Sequence, residues 1–191
     1  MVDQHDVSAG ALEDWFGNRS LPIEIEVGSG QGKFLCELAS TQPSTKFIGI
    51  DLNRWRCEIA SNRIHNSGLV NVRIVNMEAE LFVRQNVPSS LIKALHIYFP
   101  TPYPNSLGLT QRLLTLTFLQ EAYRVLISGG SLRIVTDHEH YFGEICAHIR
   151  LMPWWNISWF PPIRRLDSSL VVGTPWEFFN HKEVFELHLI K

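Results

Sequence analysis

The sequence predicts an α/β fold built on a doubly wound, mostly parallel sheet. Three observations predict it. Short apolar runs alternate with segments of helical periodicity through most of the 191 residues, the signature of strands joined by right-handed helical crossovers. The run Ile23-Glu-Ile-Glu-Val27 enters a turn with glycines at 28, 30 and 32 and then a helix, which is the nucleotide-binding corner of such a sheet. Asp51 ends the next strand, nineteen residues after Gly32, where an acid can accept both hydroxyls of a ribose.

In order, strands are expected at 23–27, 46–50, 71–75, 93–98 and 131–136, and helices at 31–40, 54–66, 79–86, 110–126 and 138–150. Three prolines, Pro100, Pro102 and Pro104, keep residues 99–109 out of helix. Gly129-Gly130 is expected to end the fourth helix as a left-handed C-cap. The segment 151–162 carries Trp154, Trp155, Trp159 and Phe160, and its tryptophans are expected to pack on the sheet edge. A last strand, Val184 to Ile190, alternates cleanly and is expected to run antiparallel to the others. The similar strings at 72–75 and 132–135 are two strands rather than a repeat. No linker-like or low-complexity stretch divides the chain, so residues 1–191 read as a single domain.

Composition narrows the class. A net charge of −2 is not that of a dedicated nucleic-acid binder, whose affinity rests on neutralising phosphates. No segment is long and apolar enough to span a membrane, and Met1-Val-Asp-Gln-His-Asp6 is too polar for a signal peptide. Cys36, Cys57 and Cys146 have no metal-type spacing and fall in expected helices, which points to reduced thiols in the cytoplasm.

The acid two residues before the glycine turn selects the ligand. A pyrophosphate would sit over Gly28, Gly30 and Gly32 at the helix N-terminus, and Glu26 would repel it. S-adenosylmethionine (SAM) carries an ammonium and a sulfonium and no phosphate, so Glu26 favours SAM over NAD or FAD. A P-loop is disfavoured because no Ser or Thr follows Lys33 and the glycine spacing differs. Asp51 is the ribose candidate; its structural alternative is a favourable acid near a helix start. After the third strand, Glu78 can accept from an adenine amine and Met77 can pack on the ring, or the pair simply begins the next helix. Substrate chemistry belongs beyond the fourth strand, where Phe99-Pro-Thr-Pro-Tyr-Pro104 offers rigid prolines and an aromatic for a flat base. Asp137, after the fifth strand, reads either as a buried acid orienting substrate or loop, or as a helix cap. Asp137-His138-Glu139-His140 lacks a third ligand set, so no metal is expected.

Together Phe16-Gly17-Asn18, Glu26-Val-Gly-Ser-Gly-Gln-Gly32, Gly49-Ile-Asp51, the Phe-Pro-x-Pro-aromatic loop at 99–103, Thr136-Asp137 and Thr174-x-x-Glu177 occur in an order that resembles the bacterial tRNA (guanine-N7-)-methyltransferases. The resemblance covers roughly residues 12 to 191. It implies a Rossmann-like SAM-dependent methyltransferase fold and a product, N7-methylguanine, in the tRNA variable loop. By position, Glu26, Asp51 and Glu78 match the family's SAM-contacting acids. Asp137, Thr174 and Glu177 match its residues around the substrate guanine.

The sequence departs from that family at the substrate loop. Thr101 stands where the family has Asp, and Tyr103 where it has Trp. Only Arg112 is basic between Tyr103 and Leu113, and Phe179 replaces the arginine that follows the glutamate. Guanine N7 has an available lone pair and no proton to remove, so placement dominates and Glu177 or Asp137 can serve without an acid at 101. Catalytic candidates are Asp137, Glu177 and Thr101; substrate contacts add Thr174, Tyr103 and Arg112, with Arg164, Arg165 and Lys182 as further phosphate contacts. Two alternatives keep the same fold: a SAM-dependent enzyme for another RNA or a small molecule, and a non-catalytic SAM- or RNA-binding subunit. The expected partner is tRNA, with no membrane, and with either a monomer or a homodimer as the assembly.

Overall fold

The structure, a computed structural model, describes residues 2–3, 21–103, 112–159, 164–165 and 183–191. The expected motif Phe16-Gly17-Asn18 lies outside them.

Strands β1 (Val2–Asp3), β2 (Ile23–Val27), β3 (Lys46–Asp51), β4 (Val72–Asn76), β5 (Ile92–Tyr98), β6 (Leu126–Thr136), β7 (Asn156–Trp159), β8 (Arg164–Arg165) and β9 (Glu183–Ile190) alternate with helices α1 (Lys33–Thr41), α2 (Arg54–Asn66), α3 (Ala79–Asn86), α4 (Leu116–Val125) and α5 (Glu139–Arg150). The sheet order is β1-β4-β3-β2-β5-β6-β9-β7, with β8 paired to β9. β2 runs parallel to β3 and β5, and β6 runs parallel to β5. β9 is antiparallel to β6, as expected of the last strand, and β7 is antiparallel to β9. The winding reverses between β2 and β5, so the carboxyl ends of those two strands flank the crevice where such sheets bind ligands.

Helix starts follow local chemistry. The side chains of Asn53, Thr115 and His138 accept the N–H of Arg56, Phe118 and Tyr141 at 3.2, 3.1 and 3.1 Å, satisfying donors that a first turn leaves unpaired. One sheet face packs Ile25, Ile48, Ile97 and Leu132 under α3, α4 and α5, through Phe82, Phe118 and Ile145. The other packs Phe47, Val72 and Ile74 under α1 and α2, through Leu35, Cys57 and Ala60. Each fully buried Val, Leu, Ile or Phe among these contributes about 1.5–3 kcal/mol.

Two details differ from the sequence reading. α4 ends at Val125, and Gly129-Gly130 lies inside β6 rather than capping the helix. Between the pairs Ile92–Leu126 and Ala94–Ser131 the register shifts. Gly129, at φ 75°, turns that bulge, a task glycine does without Cβ strain. The tryptophans also divide: Trp155 is buried edge-on against Tyr123 at 5.0 Å, whereas Trp154 is half exposed.

Candidate cofactor and substrate cleft

A cleft of about 780 Å³ opens at the carboxyl ends of β2, β3, β4 and β5. Its walls include Gly28, Asp51, Met77, Glu78, Thr101, Tyr103 and Arg112. Residues named from separate parts of the sequence therefore meet in one cavity. Tyr98 and Arg56 also line it and were missed. Tyr98 is legible in hindsight as the last strand residue before the proline loop; Arg56 carries no motif.

The turn after β2 is held by β3. Gly28 and Ser29 both donate to the carbonyl of Ile50, at 2.8 and 3.0 Å. Asp51 accepts from Gly30 N–H at 2.9 Å through one carboxylate oxygen and from Asn53 N–H at 2.8 Å through the other. The Asn76 amide donates to the carbonyls of Asp51 and Leu52, each at 3.0 Å, tying the end of β4 to the same corner. The glycines divide their work. A side chain at Gly28 would meet nothing within 4 Å, since the residue borders open cleft. Gly32, at φ 71°, has α2 against it, and an added Cβ would lie 2.9 Å from that of Ala60. Its requirement is helix packing.

Glu26 is the unusual group. Its residue is 4% exposed, and Oε2 has no hydrogen-bond partner among the described residues. Burial, assisted by the charge of Asp51, pushes its carboxyl up to about 8. Such a buried carboxylate is costly unless a cation meets it. A buried acceptor of this kind is what a ligand ammonium requires, and it fits the SAM expected from the sequence. Glu24, two residues earlier, is the satisfied counterpart. Burial raises its carboxyl, but hydrogen bonds from His96 and Lys93 and their charges outweigh this and hold it below the ordinary value. His96 lies 3.0 Å from Glu24 and 3.2 Å from the Tyr98 hydroxyl, so this polar row runs along β5 to the cleft wall.

Met77 is buried at the cleft wall, and Glu78 is exposed there. Glu78 precedes α3 but its side chain makes no capping hydrogen bond, which leaves the carboxylate available to a ligand. On the opposite rim, Phe99 and Tyr103 have φ of 51° and 39°, a left-handed conformation that is strained for bulky residues and concentrates at functional sites. Thr101 is exposed between them.

Asp137 follows β6 directly and is half-buried rather than buried. It does not cap α5; His138 does. Arg112, a candidate substrate contact, turns inward. Its residue is 7% exposed, and its guanidinium bonds Glu144 and the carbonyls of Pro102 and Tyr103. Thr174, Glu177, Phe179 and Lys182 lie outside the described residues, and of Arg164 and Arg165 only the backbone is described. Among the described residues no group of three or more His, Cys, Asp or Glu could hold a metal ion, and no helix is long and apolar enough to cross a membrane.

Comparison with known proteins agrees with the geometry. The family described as "Putative methyltransferase" matches residues 20–158. A tRNA (guanine-N(7)-)-methyltransferase of Syntrophotalea carbinolica is 34% identical over 177 residues, covering 87% of this chain and 76% of its own. Enzymes of the same name from Rubrobacter xylanophilus and Thermotoga maritima are 32% and 33% identical, over 74% and 86% of this chain. The chain spans only 62% and 53% of their lengths. Among solved structures, an antibiotic-related methyltransferase (TM-score 0.70, 20% identity, 96% of this chain and 94% of its own) and the 16S rRNA methyltransferase KamB (0.70, 19%, 97% and 94%) share the fold. The chain belongs to the tRNA (guanine-N7-)-methyltransferase family.

Proposed function

We propose that this protein transfers the methyl group of SAM to N7 of a variable-loop guanine in tRNA. One observation carries the reading: in a chain of this family, buried Glu26, whose Oε2 has no hydrogen-bond partner among the described residues, directly precedes Val27 and Gly28 of a cleft that Asp51 and residues of the Phe99–Tyr103 loop also line. SAM, when bound, supplies an electrophilic methyl group carried on a sulfonium.

The chain's own residues bind and orient. Glu26 holds the ammonium, whose charge offsets the cost of ionising a buried acid. Asp51 keeps lone pairs free beside its two backbone bonds, enough to accept ribose hydroxyls. Met77 packs on the adenine, and Glu78 accepts from its amine. Gly28, Gly30 and Gly32 shape the turn beside these groups. Across the cleft, Tyr103 stacks on the target base and Thr101 borders it. N7 gives up no proton, so the rate rests on in-line placement of its lone pair. Positive charge develops on the base during transfer. Asp137 stabilises it from the end of β6, with Glu177 and Thr174 completing the base site. The reaction takes place in the cytoplasm with tRNA as partner.

The test is methyl transfer from labelled SAM to an unmodified tRNA transcript, with nucleoside analysis of the product. N7-methylguanine is the expected product. SAM binding with no methylated nucleoside would favour the alternative in which the same cleft serves a different substrate.

A further inference from the structure

Arg112 sits in the cleft wall, yet all three of its guanidinium nitrogens bond groups of the protein. Nε donates to the carbonyl of Pro102 and another nitrogen to that of Tyr103 at 3.3 Å. A third bonds Glu144 on α5. The guanidinium lies over the Tyr141 ring, 4.8 Å from its centroid, and the Tyr141 hydroxyl accepts the N–H of Leu114 at 3.1 Å. Glu144 also meets His140 at 3.4 Å. A planar fork that grips two successive carbonyls fixes a loop's path in a way that a lysine point charge cannot. Those carbonyls belong to the rim, which needs holding, because Tyr103 is left-handed and two prolines limit its alternatives. Phosphate capture that drew this side chain out of the wall would give up these bonds and leave Glu144 without its buried partner.

We propose that Arg112 is a positioning residue: braced by Glu144 and Tyr141, it sets the Thr101–Tyr103 rim against the cleft and does not bind RNA phosphate. This rests on the functional reading above only in taking residues 99–103 as the substrate rim.

Arg112→Lys, Arg112→Ala and Glu144→Ala separate the possibilities. The readouts are kcat, the salt dependence of KM for tRNA, SAM affinity, and hydrogen exchange of the peptide covering residues 97–103. Both Arg112 variants should lower kcat about tenfold or more, since small misplacements cost rate steeply. Glu144→Ala should act in the same direction. The salt slope of KM should match wild type, SAM affinity should stay within about twofold, and the 97–103 peptide should exchange faster while β2 and β3 stay protected. A phosphate ligand would behave otherwise: Lys would restore activity, and Ala would reduce the salt slope by about 0.7–0.9 with exchange unchanged. Either of those results overturns the proposal. If the wild-type protein methylates no tRNA, the functional reading falls, and exchange alone decides. Faster exchange in the Arg112 variants then supports the rim role, and unchanged exchange defeats it.

Discussion

The carboxylate of Asp51 accepts the backbone N–H of Gly30 at 2.9 Å, across 21 residues of chain. One side chain therefore fixes the glycine turn and stands ready for a ribose. Asp51→Asn keeps an acceptor for one backbone donor but loses the charge and the second acceptor. It should weaken SAM binding at least about tenfold and cost about 1–3 kcal/mol of stability. Titration calorimetry and urea unfolding check the two parts separately.

Glu26 makes a pH prediction. Its folded-state carboxyl titrates near 8, far above the ordinary carboxylate value of 4.5. Between those values the unfolded chain has released a proton that the folded chain keeps. Cofactor-free stability from this group is therefore complete below about pH 4.5 and is lost as pH rises toward 8. Glu26→Gln should flatten that fall, raising neutral-pH stability by on the order of a few kcal/mol, while weakening SAM binding. Thermal melts across pH 5 to 8 with and without SAM are the check. A Gln variant that melts lower and binds normally would contradict the assignment.

Gly32→Ala should be destabilising without touching the ligand. The position is left-handed at φ 71°, and the new methyl would press on Ala60 at 2.9 Å. A loss of about 1–3 kcal/mol follows from strain and overpacking together. Chemical unfolding measures it.

Thr101→Asp should raise kcat. The position is exposed on the cleft rim, and a carboxylate there can hold the base's donor edge and meet its developing positive charge. SAM affinity should not change. A lower kcat at equal SAM affinity would show that threonine suits this site better than an acid.

Local pattern made the parallel strands and the glycine turn legible, because period-2 alternation and the Glu-x-Gly-x-Gly-x-Gly spacing are written within a few residues. It did not reveal the protein groups around the alternating acids of β2. Glu24 and Glu26 stand at alternate positions of the strand, and both are buried, 5% and 4% exposed. Burial raises both carboxyls, and the groups that then act on them lie far along the chain: His96 and Lys93, which outweigh burial at Glu24, and Asp51, which adds to it at Glu26. The partners of Arg112 were hidden for the same reason. A lone basic residue after a substrate loop suggests phosphate, and only the packing of α5 brings Glu144 to it. Gly129-Gly130 carried a correct conformational signal, a positive φ, but sequence could not say whether a helix end or a strand bulge would use it.

The most direct test of N7 as the acceptor compares two tRNA transcripts, one normal and one with 7-deazaguanine at the variable-loop position. The substitution replaces the N7 lone pair with C–H and leaves the base's pairing edge and phosphates intact. Equal binding with methyl transfer only to the normal transcript is the predicted result. Equal transfer to both would contradict it, placing the methyl group on another atom.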